Sequence, residues 1–248
     1  MEDQYNGIAK WYSFLLRDPA GLGEYLVRQL SELLDLEPAG LCILDCACGT
    51  GIELALLAKL GGVVMGSDKS KAMLAEARSQ FDSMGLSVPL IKCEWKELPA
   101  KISERFDLVM CTGNSISHCL DRTEMNLSIK GMAEMLKKEG SLVVAVRNWE
   151  RIVKENPRFW VLESRLQKNK RLTPIYVWNL NGMSERATIE LLFVVDDGGE
   201  TSFETHTISL RPFPREELVE AFRAANLVEI QVISEKDDDW YWVAGKMK

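Results

Sequence analysis

Three stretches of the chain place chemistry-bearing residues at informative spacings. The first is Ile43-Leu-Asp-Cys-Ala-Cys-Gly-Thr-Gly51, an apolar run that ends in a turn with Gly49 and Gly51 two apart. Glycines so placed let a backbone approach a ligand closely, with the first amides of a following helix facing it. A dinucleotide fingerprint would need a third glycine at position 54, where the chain has Leu54, and the Gly-Lys-Ser/Thr ending of a phosphate-binding loop is missing. Asp45, four positions before Gly49, would repel a pyrophosphate and suits a cationic amino-acid group better. The second stretch ends in Asp68, 17 residues after Gly51. A carboxylate there can accept both hydroxyls of a ribose; the competing reading is a cap for the helix that starts near Ser70. The third signal is a pair, Asn114 and Arg147, each following an apolar run. A guanidinium fork beside an amide donor matches a carboxylate. An arginine at the tip of a buried strand is costly unless an anion meets it, and an internal acid such as Glu150 or Asp121 would also serve.

Other candidates say less. His118 could act as a general base or be a hydrogen-bonded structural residue. Cys46, Cys48, Cys93, Cys111 and Cys119 raise thiol chemistry, arsenic methylation or a metal site, but no C-x-x-C pair supports zinc and small buried cysteines are ordinary core residues. The basic run Lys168–Arg171 reads as a solvated loop and Asp237–Asp239 as an exposed turn.

The elements that would carry these residues alternate between strand and helix through the first 150 positions. Apolar residues at helical spacing (Tyr25, Leu26, Leu30, Leu33) predict an opening helix over 11–34. Strands are expected at 41–45, 63–68, 88–93, 106–111 and 141–146. Helices are expected at 52–60, from Ser70 to Met84 with Gly85 as its stop, and over 123–138. Such alternation predicts a doubly wound, mostly parallel sheet with right-handed crossovers. Beyond Trp149 three strand-like runs, 174–180, 186–195 and 202–210, follow one another with turn signals between them, so they should form an antiparallel sheet. A helix over 214–225 and strands at 228–233 and 240–245 would then rejoin the main sheet. The expected organisation is a main domain from 1–150 and 211–248, with 151–210 as a lid inserted after the fifth strand.

Composition narrows the class. With 248 residues and 46% hydrophobic content the chain can bury a large core. Its 30 Lys+Arg against 37 Asp+Glu, net −7, argue against holding nucleic acid by neutralising phosphates. No apolar run approaches the roughly 20 residues of a membrane helix. The polar start Met-Glu-Asp-Gln-Tyr-Asn reads as neither a signal nor a transit peptide. Six cysteines are too sparse for a disulfide scaffold. The expectation is a reduced, cytoplasmic protein.

The Asp-Cys-Ala-Cys-Gly-Thr-Gly loop together with Asp68 resembles the class I S-adenosylmethionine-dependent methyltransferases, over roughly residues 40–150. Glu94-Trp95, Thr112-Gly-Asn-Ser-Ile-Ser-His118 and Val146-Arg-Asn-Trp149, with Trp11 and Glu24-Tyr25 ahead of them, are similar to the glycine and glycine/sarcosine N-methyltransferases. The resemblance implies a seven-stranded sheet and S-adenosylmethionine as cofactor. It implies that Ala47 and Gly49 pass the methionine moiety, with Asp45 and Gly51 also in the cofactor site, that Asp68 holds the ribose and that Met73 covers the adenine. Glu94 and Trp95 would edge the adenine, Thr112 and His118 would lie near the sulfonium, and Trp11 would lie over the cofactor. Asn114 and Arg147, with His118 beside them, would form the substrate end, the first two holding an amino-acid carboxylate. The implied activity is N-methylation of a small amino acid such as glycine, sarcosine or dimethylglycine, without a metal. Two departures stand out. The lid carries a single tyrosine, Tyr176, where those enzymes line the pocket with several, which leaves room for a larger or differently substituted substrate. The arginine that helps hold the cofactor in the animal enzymes finds no counterpart near Gly21. The alternatives are another amine, a thiol or arsenite, a natural-product hydroxyl, or a cofactor-binding subunit without catalysis. A flipped-base enzyme is disfavoured, since no Asn-Pro-Pro-Tyr-type tetrad follows the fourth strand. Nucleic acid and membranes are not expected partners, and homo-oligomerisation is left open.

Overall fold

The computed structural model describes residues 3–15, 19–34, 37–167, 170–183, 185–234 and 239–248. Residues 16–18 of the expected opening helix, Lys168 and Asn169 of the basic run and Asp237 and Asp238 of the acidic turn lie outside them. Lys170 and Arg171, expected in a loop, instead open a strand of the second sheet, where pairing on both sides overrides their charge.

The main sheet has seven strands. β1 (Cys42–Asp45), β2 (Val63–Asp68), β3 (Leu90–Lys92), β4 (Phe106–Cys111) and β5 (Leu136–Arg147) run parallel, in the spatial order β5-β4-β1-β2-β3. β11 (Leu227–Ile233) and β12 (Trp240–Met247) form an antiparallel hairpin, and β12 pairs antiparallel with β5, Trp240 opposite Arg147. The central strands are buried along most of their length, as a sheet covered on both faces requires. The covering helices are α1 (Pro19–Leu34), α2 (Ile52–Lys59), α3 (Lys71–Met84), α4 (Leu98–Lys101), α5 (Arg122–Ala133), α6 (Trp149–Glu155) and α7 (Arg215–Ala224). Two apolar clusters hold the layers together. One contains Leu26, Leu30, Leu54, Leu57 and Phe81; the other contains Met125, Ile129, Trp149, Phe213 and Phe222.

The local signals behave as their chemistry predicts. Ser70 caps α3 by accepting from the Met73 amide, and Gly85 ends it in the left-handed region. The opening segment differs from expectation: Ala9–Leu15 is a 3-10 turn, and α1 starts only at Pro19, whose fixed φ suits a helix start. The expected helix over 123–138 stops at Ala133, and β5 already begins at Leu136. Extra residues loop out between Leu136 and Ser141, with Glu139 at φ 63°, and Lys137 is held there by an ion pair to Asp107 at 2.9 Å.

The second sheet is antiparallel. The three expected strands are its long members, β8 (Lys170–Asn179), β9 (Ala187–Asp196) and β10 (Thr201–Leu210). Two three-residue strands missed by the sequence reading, β6 (Phe159–Val161) and β7 (Arg165–Gln167), both pair with β8. Its inner face buries Leu172, Trp178, Ile189, Leu191, Phe193 and Val195. That face meets the ends of β4 and β5: Trp178 lies 6.1 Å from Trp149, and the Arg211 amide donates to the Ser117 carbonyl.

Candidate functional site

The glycine loop is pinned by main-chain bonds. The Cys46 amide donates to Met110 O of β4, and the Cys48 amide to Ser67 O of β2. Asp45 accepts from the Ala47 amide at 3.0 Å. Asp68 joins the loop to β2: one carboxylate oxygen accepts from the Gly49 amide at 2.9 Å and the other from the Ser70 amide at 2.8 Å. Both readings of Asp68 are therefore compatible, because each oxygen keeps a further lone pair for a hydroxyl. Gly51 sits at φ +78°, and a Cβ there would fall 2.5 Å from Phe81 Cζ, so only glycine lets α2 and α3 come this close. Above Gly49, the space a Cβ would take is bordered by Met73 Cε at 3.4 Å and Tyr12 Cε1 at 3.8 Å.

This half of the cleft is acidic. Glu53, in the first turn of α2, accepts a hydrogen bond from the Thr112 hydroxyl. Burial pushes the carboxyls of Asp45, Glu53 and Asp68 above their ordinary values, with Glu53 next in raising Asp45. Among the described residues none of the three has an ion pair. Three carboxyls in so little water favour a cationic ligand, and an ammonium with a sulfonium fits that donor set.

The other half gathers at the ends of β4 and β5. Asn114, at φ 66°, accepts at Oδ1 from the Ser117 hydroxyl (2.8 Å) and from the Arg147 amide (3.1 Å), while Trp149 Nε1 donates to Ser117 Oγ at 2.9 Å. With Oδ1 held by two donors, the Asn114 amide is oriented and its NH2 remains a donor. The Arg147 guanidinium carbon lies 4.3 Å from the Trp240 ring centroid and 5.1 Å from that of Trp160. Of the two suggested internal acids, Asp121 caps α5 through the Glu124 amide, and Glu150 accepts from the Arg215 amide. His118 Nε2 lies 2.7 Å from the Tyr5 hydroxyl. Burial lowers the His118 pKa to about 3, helped by the positive charges of Lys69 and Arg186, so the ring is neutral near pH 7.

The structure thus brings together Asp45, Ala47, Gly49, Gly51, Asp68, Met73 and Thr112 on one side, and Asn114, His118 and Arg147 on the other. Trp11 goes elsewhere. Its indole donates to Glu204 of β10 at 2.8 Å and packs 6.4 Å from Phe193, so it ties the opening turn to the second sheet. Tyr12, its neighbour, is the aromatic side chain near Gly49. Glu94 is exposed, pairs with Lys96 at 2.9 Å and forms a capping box with Glu97. Trp95 donates its indole N–H to Cys46 O at 2.7 Å, at the end of β1.

Tyr5, Tyr12 and Glu53 escaped the sequence reading. Tyr5 and Tyr12 are seven residues apart, and their rings are 5.9 Å apart in an edge contact. Burial raises both hydroxyls, and Tyr176 adds to the rise at Tyr12. The opening segment thus brings two tyrosines to the site, where the lid has Tyr176. The seven-residue spacing was visible, but it gave no sign of which cleft the turn crosses. Glu53 stood two positions past the glycine pair and was overlooked there. The cysteines are a poor thiol site. Five are buried, and burial raises the thiols of Cys46, Cys48, Cys93 and Cys119. Among the described residues no His/Cys/Asp/Glu group could hold a metal ion. No helix among them is long and apolar enough to cross a membrane.

Residues 43–140 match the family described as a methyltransferase domain. The chain is 29% identical over 133 residues to a glycine/sarcosine N-methyltransferase of Aphanothece halophytica, covering 54% of this chain and 48% of that protein. It spans about half the length of the first curated relatives it matches. A dTDP-3-amino-3,6-dideoxy-alpha-D-glucopyranose N,N-dimethyltransferase of Streptomyces fradiae is 28% identical over 229 residues, covering 90% of this chain and 85% of that one. An S-adenosylmethionine-bound amino pentose methyltransferase of Micromonospora echinaspora superposes over 100% of this chain and 98% of its own, at TM-score 0.76 and 18% identity. The sheet order and the glycine loop are those of the class I S-adenosylmethionine-dependent methyltransferase fold, and residues 43–140 match its methyltransferase domain. The cofactor of that class is S-adenosylmethionine.

Proposed function

We propose that the protein methylates the amino nitrogen of a small, anionic metabolite, with a glycine-, sarcosine- or dimethylglycine-type amino acid as the first candidate. The observation that carries this reading is that the Arg147 backbone amide holds Asn114 Oδ1, so that adjacent strand ends offer an oriented amide and a guanidinium in a site that also contains three buried carboxyls. Bound S-adenosylmethionine supplies an electrophilic methyl group on a positively charged sulfur. Asp68 would hold its ribose, Met73 and Tyr12 would border it at Gly49, and Asp45 and Glu53 would face its cationic end. Asn114 and Arg147 would grip the substrate's anionic group and so fix the direction of its nitrogen lone pair, which is most of what a direct displacement needs. Tyr5, Tyr12 and Tyr176 would exclude water from the gap between the halves, and beside the sulfonium a neutral amine is the favoured form. Neutral His118, held by Tyr5, positions that wall. Its low pKa makes it a weak proton acceptor.

A second reading has its own support. The amino-sugar relative matches through the second sheet, whereas the glycine/sarcosine relative covers 54% of the chain. An amino sugar would also fit a pocket with a single lid tyrosine. The test is to incubate the protein with methyl-labelled S-adenosylmethionine and glycine, sarcosine, dimethylglycine, an amino-sugar nucleotide, arsenite and a catechol, and to identify products by mass spectrometry. Label on an amino-acid nitrogen supports the first reading, and label on the sugar amine the second. Label only on arsenic or oxygen would overturn both.

A further inference from the structure

The second sheet has two faces, and they differ. The inner face is buried against the main domain. The outer face carries Phe159 and Val161 on β6, Leu166 on β7, Ile175 and Val177 on β8, Leu192 and Val194 on β9, and Phe203 on β10. The strand register aligns these as rows: Val161, Ile175 and Leu192 in one, Phe159 and Val177 in a second, Val194 and Phe203 in a third. Phe159, Val161, Leu166 and Phe203 are 63%, 66%, 67% and 64% exposed. Large apolar side chains left so open, on one face and in register, mark an interaction surface.

We infer that this face is a homodimer interface, packed against the same face of a second copy across a two-fold axis. Three features point to a second copy. The first is shape: sheets pack face to face about 10 Å apart with strands nearly aligned, so a sheet face suits its own copy. The second is size. Three ten-residue strands and the short flanking ones span about 33 by 19 Å, or roughly 600 Å², and standard interfaces begin at about 600 Å² per partner. The third is charge. Arg171 stands opposite Asp196 at one end of the face, and Glu190 stands opposite Val177 toward the other. Among the described residues neither Arg171 nor Glu190 has an ion pair in its own chain, while Asp196 is engaged in the turn through the Gly198 amide. A two-fold axis between the Leu192 and Val194 rows brings each copy's Arg171 toward the other copy's Glu190. Only a self-association makes that match twice. Ile175 and Val177, on the outer face, flank inward-facing Tyr176, so the interface also braces the strand that lines the cleft.

The test is sedimentation velocity on the full chain across the micromolar range. The expected species is a dimer of twice the 28.0 kDa chain mass. Leu192→Lys should sediment as a monomer. Arg171→Glu and Glu190→Arg should each weaken the dimer about ten-fold, and the double reversal should restore it to within about three-fold of the parent. These exposed charge changes test the idea even if Leu192→Lys fails to fold. A monomeric parent chain would overturn the inference and leave the face to a different partner. So would single reversals that change nothing, or a double reversal that is no better than either single one.

Discussion

On the glycine-loop side of the cleft, Asp45, Gly49, Gly51 and Asp68 fall within 24 consecutive residues and are fixed by main-chain bonds to β2 and β4. On the strand-end side, Tyr5, Asn114, His118, Arg147, Trp160 and Tyr176 come from the opening segment, the loop after β4, the end of β5 and the second sheet, and they hold one another mainly through side chains. Backbone-built sites tolerate changes in their neighbours, because the bonds that shape them do not depend on which side chains surround them. Side-chain-built sites change specificity with single substitutions. That contrast fits the family match over residues 43–140, which holds the glycine loop and Asp68 but not Arg147, Trp160 or Tyr176.

Substitutions can break the comparison on either side. The largest effect should come from Arg147→Ala, expected to lower kcat/KM for an anionic acceptor by about 2–5 kcal/mol while leaving cofactor affinity unchanged by calorimetry. Arg147→Lys should fall between the parent and Ala, keeping the charge but losing the fork geometry. Next, Asp68→Asn should weaken S-adenosylmethionine binding by roughly 1.5–3 kcal/mol for each charge-assisted bond lost. Its acceptor KM should change less. An Asp68→Asn protein with parental cofactor affinity would remove the ribose assignment.

Gly131→Ala acts on the frame between the halves. A Cβ there would lie 2.4 Å from the Trp95 carbonyl oxygen, so α5 must shift away from the turn that bonds Cys46. The cost should be about 1–3 kcal/mol, partly offset by about 1 kcal/mol of helix propensity, and read as a fall of a few degrees in Tm. The smallest effect near neutral pH belongs to His118. Its folded pKa of about 3 lies below the unfolded 6.5, so the unfolded chain binds the extra proton. His118 therefore costs stability as pH falls below 6.5, by at most about 1.4 kcal/mol per pH unit, and the loss is complete near pH 3. His118→Gln should lose less stability than the parent between pH 6.5 and 4. The kcat/KM profile should show no bend near 6.5 from this residue. A bend there that His118→Gln removes would restore it as a base.

The sequence made the two halves unequally legible. Strand β2, strand β4 and helix α3 could be read to the residue, because each has an apolar run bounded by its own turn or cap, such as Ser70 and Gly85 around α3. The glycine loop and Asp68 were legible for the same local reason. Tyr5 and Tyr12 were not, since nothing near them in sequence says that their turn crosses the cleft. Trp11 shows the limit from the other direction: the resemblance put it over the cofactor, but its indole is bonded to Glu204, 193 residues away. β6 and β7 are three residues each, too short for an alternating pattern, and are set by pairing with β8.

The central claim is that the strand-end half grips an anionic group beside the reacting amine. Its most direct test uses the best acceptor from the labelled panel and a matched amine lacking the anionic group, each turned over by the parent protein and by Arg147→Ala. The parent should prefer the anionic acceptor strongly, by about 2–5 kcal/mol in kcat/KM, and Arg147→Ala should lose most of that preference. Equal use of both amines by both proteins would contradict the account and make Arg147 a structural residue packed against Trp160 and Trp240.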